Sequence, residues 1–118
     1  MIVLLMSILM AMPNPFQQKR QFLLFADTQN NAQLQQQLKY LHQDADGLQE
    51  RDVEVKVYIK SKDPEAFANR KIKASFTTVL VGKDGGDKLI SAEPITLQKL
   101  YSTIDAMPMR RSEMKRHL

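Results

Sequence analysis

At 118 residues the chain is the size of one domain, long enough to bury a core without disulfide or metal staples. Apolar residues at 43% and charged ones at 25% are ordinary globular proportions, which excludes disorder for the body of the chain. Zero cysteines exclude disulfides, thiolate catalysis, Cys-ligated zinc and iron–sulfur clusters, and a net charge of +4 is compatible with an anionic partner without requiring one.

Met1 to Met12, MIVLLMSILMAM, is an uncharged apolar run closed by Pro13, Asn14 and Pro15. It falls short of the ~20 residues a membrane-spanning helix needs. It matches the apolar region of a secretory signal peptide, with the small Ala11 near a cleavage point. Residues 1–15 are therefore expected to be a signal peptide and the protein to be periplasmic or secreted. No Lys or Arg precedes the run, so an apolar segment packed on a cytoplasmic domain is the other reading.

Gln21 to Ala26, QFLLFA, is a continuous apolar run of the kind found in a strand buried on both faces. Asp27 to Asn31, DTQNN, is dense in capping and turn residues. From there Leu34, Leu38, Leu41, Ala45 and Leu48 recur at helical spacing, and Gly47 with Glu50 to Asp52 closes this one predicted helix. Val53 to Lys60, VEVKVYIK, alternates strictly, as a strand with one wet face does at a sheet edge. Asp63-Pro64-Glu65 supplies a cap, a first-turn proline and an acid for a short helix through Asn69. Ser75 to Val81 is a second β-rich run. Gly82 to Asp87 has hairpin chemistry, with Asp84-Gly85-Gly86 supplying the positive-φ positions, and Asp87 to Glu93 returns as a strand. Thr96 caps a last helix with Leu97, Leu100, Tyr101 and Ile104 on its apolar face, and Pro108 stops it. Residues 109–118 form a basic tail in which Arg110, Arg111, Lys115 and Arg116 make a basic surface.

The predicted order is β-α-β, a short helix, a β-hairpin and a final helix. A right-handed crossover makes the first two strands parallel, and the hairpin adds two antiparallel ones. The result is an α/β fold of thioredoxin-like layout over residues 16–108, a four-stranded mixed sheet with helices on both faces.

FADTQNNAQLQQQL, GLQERDV, FTTVLVGKDGGDKL and IDAMPMRRSEM together resemble a widespread bacterial family of unknown function. That family is similar to the peroxiredoxin-like, thioredoxin-fold domains of vertebrate sushi-repeat and equarin-type extracellular proteins. VGKDGG and IDAMPMRR are the most specific part. The resemblance implies a thioredoxin-like fold and, for many relatives, export, but no established activity. In redox-active relatives the nucleophilic cysteine sits where the first strand meets the first helix. Here that junction is Thr28 to Ala32, without a thiol. The cis-proline that the fold places before its third strand is also missing, since the corresponding stretch is Ala74-Ser75-Phe76-Thr77.

Asp27 to Asn31 is nevertheless the candidate site, because free N–H groups and the dipole at a helix N-terminus favour an anion. Thr28, Asn30 and Asn31, with Phe76, are the candidate ligand-binding residues; plain capping is the competing reading, and Phe67, Phe76 and Tyr101 also read as core or near-core positions. GKDGG joins two strands, which makes it a hairpin turn and not a phosphate loop. His42 and His117 lack a second ligand at a metal-binding spacing, so no metal is expected, and no cofactor. Glu50, Arg51, Asp52, Asp84 and Asp87 read as solvated turn charges. The function expected is a non-redox binding or interaction module whose partner is a protein or a small anionic ligand. The alternative is an enzyme with a thiol-free site for an anionic or peroxide-like substrate. Nucleic-acid binding is disfavoured, because the basic tail lacks interleaved aromatics and a defined motif.

Overall fold

The structure, a computed structural model, describes residues 18–116. The apolar segment of residues 1–15 and His117 lie outside the described residues.

Strand β1 (Arg20–Ala26) is the hub of a four-stranded sheet ordered β2-β1-β3-β4. Every β1 residue except Gln21 is buried, as the unbroken apolar run requires. On one side β1 pairs in parallel with β2 (Val53–Ile59), Arg20 opposite Val53 and Ala26 opposite Ile59. On the other it pairs antiparallel with β3 (Phe76–Val81), which in turn pairs antiparallel with β4 (Asp87–Ser91). The alternating strand β2 stands at an edge and the continuous apolar strand in the centre, as their periods predict. This mixed α/β sheet has the thioredoxin-like arrangement.

Among the described residues five helices flank the sheet: α1 (Ala32–His42), α2 (Ala45–Glu50), α3 (Pro64–Arg70), α4 (Leu97–Asp105) and α5 (Pro108–Arg116). The pleat of β1 divides the core. Phe22, Leu24 and Ala26 face Leu34 and Leu41 of α1, Leu48 of α2, and Leu100 and Ile104 of α4. Leu23 and Phe25 face the other way, with Val79, Val81 and Phe67 of α3. There Phe25 stacks on Tyr58, ring centroids 5.0 Å apart, and meets Phe67 edge-on at 5.2 Å. Among the described residues no helix is long and apolar enough to cross a membrane.

Four local expectations are corrected. The single helix expected up to Gly47 is two helices, because the Asp44 carboxylate caps the N–H of Gly47 at 3.0 Å and starts α2 afresh. Asp63 stands at the head of α3 but its side chain accepts from the N–H of Ile59, tying the helix to β2 instead of capping it. Only Gly85 of the hairpin glycines has positive φ, at 85°. Pro108 ends nothing: α4 has stopped at Asp105, and the proline occupies the first position of α5, where a missing N–H costs least.

Candidate functional site

The β1–α1 junction is a turn closed on itself. Asp27 Oδ1 accepts from the N–H of Thr28 at 2.7 Å and from Nδ2 of Asn31 at 2.9 Å. Asn31 Nδ2 also donates to the carbonyl of Ser75 at 3.2 Å, while its Oδ1 caps α1 through the N–H of Leu34. The bond from Asn31, then that from Thr28, hold the Asp27 carboxyl below its ordinary range. Thr28 and Asn30 are exposed and Asn31 is half-buried by its capping task. Phe76 is not beside them as a ligand contact: it is 1% exposed and packed in the α1 side of the core. Its candidacy as a binding residue is corrected because β3 is buried on both faces, and Phe76 falls on the α1 side.

A second concentration of polar groups lies at the opposite end of β1. Arg20 is wholly buried there, and its guanidinium donates to Glu113 at 3.1 and 3.3 Å and to the carbonyl of Arg51 at 2.7 Å. Lys83 meets Glu113 at 2.9 Å and Asp52 at 2.8 Å. Arg51 makes a two-pronged pair with Asp105, both contacts 3.1 Å, and its guanidinium lies 3.8 Å from the Tyr101 ring centroid. Arg110 bonds Asp105 at 3.1 Å and Glu50 at 3.0 Å. Burial alone would resist ionisation of Asp105 and Glu113. For Asp105 the bonds from Arg51 and Arg110 outweigh burial, and for Glu113 those from Arg20 and Lys83 do, so both carboxyls sit below their ordinary values.

This network corrects two expectations. Arg110 is 2% exposed and belongs to the interior, because α5 folds back onto the end of β1 and delivers it to Glu50 and Asp105. Only Arg111, Lys115 and Arg116 of the expected basic surface are exposed. Glu50, Arg51 and Asp52 are members of the network and not free turn charges, whereas Asp84 and Asp87 are exposed and pair with Lys88 and Arg70.

Beside the network a cleft of about 320 Å³ opens between the β3–β4 turn and the α4–α5 turn. Gly82, Lys83, Asp84 and Lys88 line it from the hairpin, and Ala106, Met107, Pro108 and Met109 from the helical turn. Arg20 is part of its wall. Sequence reading missed this site; the one signal pointing there was a cation heading an otherwise apolar strand.

The fold and the emptied junction thus define a cysteine-free α/β domain of thioredoxin-like arrangement. The chain belongs to a family described as a domain of unknown function, DUF4174, which matches residues 13–113. No curated protein matches it. Among solved structures it is similar to one titled "Structure of a malarial protein", with a TM-score of 0.63 and 11% identity, covering 75% of this chain and 96% of that one. At that identity the likeness concerns the fold alone.

Proposed function

We propose that this protein is a thiol-independent binding module of thioredoxin-like architecture that works outside the cytoplasm. The observation carrying the reading is the state of the β1–α1 junction, which has no thiol and whose Asp27 and Asn31 side chains are spent on its own turn and on capping α1. An enzyme acting there through Thr28, Asn30 and Asn31 would need a general base. The nearest carboxylate, Asp27, is held below its ordinary range and is a weak proton acceptor at neutral pH. Export rests on the apolar run of Met1 to Met12. Kinship with the peroxiredoxin-like domains of vertebrate extracellular proteins is part of the same reading, and rests on the residues VGKDGG and IDAMPMRR.

The test is enzymatic and cellular. Purified protein should reduce neither insulin disulfides nor hydrogen peroxide above the buffer control when supplied with dithiothreitol; turnover in either assay overturns the reading. In the native cell, fractionation should recover the protein outside the cytoplasm with its first dozen or so residues removed. A cytoplasmic protein retaining Met1 removes the export half of the proposal.

A further inference from the structure

The cleft between the β3–β4 turn and the α4–α5 turn combines two properties that rarely coincide by accident. One wall is apolar: Ala106, Met107, Pro108 and Met109, the last 51% exposed although it is a large hydrophobic side chain. The opposite wall carries the charged groups. Arg20, Lys83, Lys88 and Asp84 line it, and Glu113 and Asp52 pair with Arg20 and Lys83 from behind.

The donors on that wall are not used up. An ammonium has three N–H groups. Lys83 commits two of them, to Asp52 and Glu113, which leaves one. Lys88 commits one, to Asp84 Oδ2, which leaves two. Both oxygens of Asp84 have a partner, since its Oδ1 accepts from the N–H of Gly86. Arg20 is wholly buried, and its Nε–H is the one buried side-chain polar atom among the described residues without a hydrogen-bond partner. Such an orphan in a folded protein calls for an explanation. Here it belongs to a residue of the cleft wall.

We propose that this cleft binds a small amphipathic carboxylate. Its head group accepts from the ammoniums of Lys83 and Lys88, in the field of the buried Arg20, and its apolar body lies against Met107, Pro108 and Met109. A volume of about 320 Å³ is at the small end of the range for small-molecule sites. A multiply charged phosphate would leave the apolar wall unused and crowd Asp84. An alcohol would forgo the charge-assisted hydrogen bonds that the spare ammonium N–H groups offer a carboxylate. The inference deepens the reading of a binding module by giving it a ligand class, and its outcome is independent of the insulin and peroxide assays.

The probe is sodium hexanoate, titrated into the isotopically labelled full chain and followed through backbone amide resonances. Saturable shifts are expected at Gly82, Lys83, Lys88, Met107 and Met109, and 1-hexanol and hexylammonium should bind at least about fivefold more weakly. Lys88→Met keeps the aliphatic stem and removes the charge. Met109→Asp puts a like charge on the apolar wall. Each should weaken hexanoate about tenfold. Hexanol binding as tightly as hexanoate overturns the carboxylate, and affinity unchanged in both variants overturns the placement. Absence of shifts in the unaltered protein overturns the proposal outright, so that titration decides it even should a variant fail to fold.

Discussion

Gln37 and Ile95 pair as two strand residues would: the Gln37 side chain donates from Nε2 to the Ile95 carbonyl at 2.9 Å and accepts at Oε1 from its N–H at 2.7 Å. Gln37 is wholly buried, yet its amide is satisfied at both ends by one backbone residue on the segment leading into α4. A side chain thus stands in for a missing strand and fastens α1 to the last part of the fold. Gln37→Leu conserves bulk but strands both backbone groups of Ile95. The expected loss is about 2–4 kcal/mol, two orphaned groups at ~1–3 each with partial relaxation, read from urea denaturation.

Arg20 and Glu113 are 93 residues apart in sequence and both interior. Removing the carboxylate alone, Glu113→Ala, leaves the buried guanidinium without its main counter-charge. Destabilisation of about 3–5 kcal/mol is expected in equilibrium unfolding. Replacing both partners, Arg20→Met with Glu113→Leu, should recover much of that loss, because the pair's own attraction only partly offsets its desolvation. A double variant as unstable as the single one would show that the pair is a net source of stability.

Two opposite pH dependences follow from the same region. Asp105 and Glu113 have folded-state pKa values below the ordinary 3.8 and 4.5, so the folded protein binds fewer protons than the unfolded chain in that interval. Their contribution is complete above those ordinary values and is lost as pH falls through the lowered ones. Tyr101 shifts the other way. Burial, and next its hydrogen bond to Asp44, push its hydroxyl from 10.0 up to about 12. Stability tied to it is complete below pH 10 and lost as pH rises toward 12. Urea midpoints across pH 2–6, and absorbance titration of the tyrosines above pH 9, check the two limbs.

Gly47 is the third. Ordinarily Gly→Ala inside a helix stabilises it, by up to about 1 kcal/mol. Here a methyl group would run into the Asp44 carboxylate and come within 2.6 Å of the Tyr101 hydroxyl. Gly47→Ala should therefore destabilise by about 1–3 kcal/mol in thermal or urea unfolding. A neutral or stabilising result would mean that the Asp44–Tyr101 contact yields freely.

Much of the architecture was legible in the chain itself, because period and capping are local. QFLLFA reads as a central strand, VEVKVYIK as an edge, and Thr96 as a cap, with its Oγ1 accepting from the N–H of Lys99. What escaped was decided by partners far away in sequence. Leu34 to Leu48 fits one helix equally well; the break is set by the Asp44 cap, whose carboxylate the Tyr101 hydroxyl contacts across 57 positions. MRRSEMKRH reads as a solvated tail because nothing near it announces that Glu50 and Asp105 await Arg110. Charge signs alone do not say which opposite charges will meet. The cleft is invisible for the same reason, since the hairpin lysines and the methionine turn meet only after the fold brings them together.

The reach of the Arg20–Glu113 pair has a consequence for how the chain is made. During vectorial synthesis all four strands are complete before residue 113 exists. Through that interval the head of the central strand carries a cation without its main counter-charge, which disfavours its withdrawal from water. Closure of the sheet's end is thereby expected to wait for α5. A fragment stopping short of it retains every strand of the fold and still lacks the one carboxylate that lets the guanidinium stay dry, which makes such a fragment a ready target for quality control.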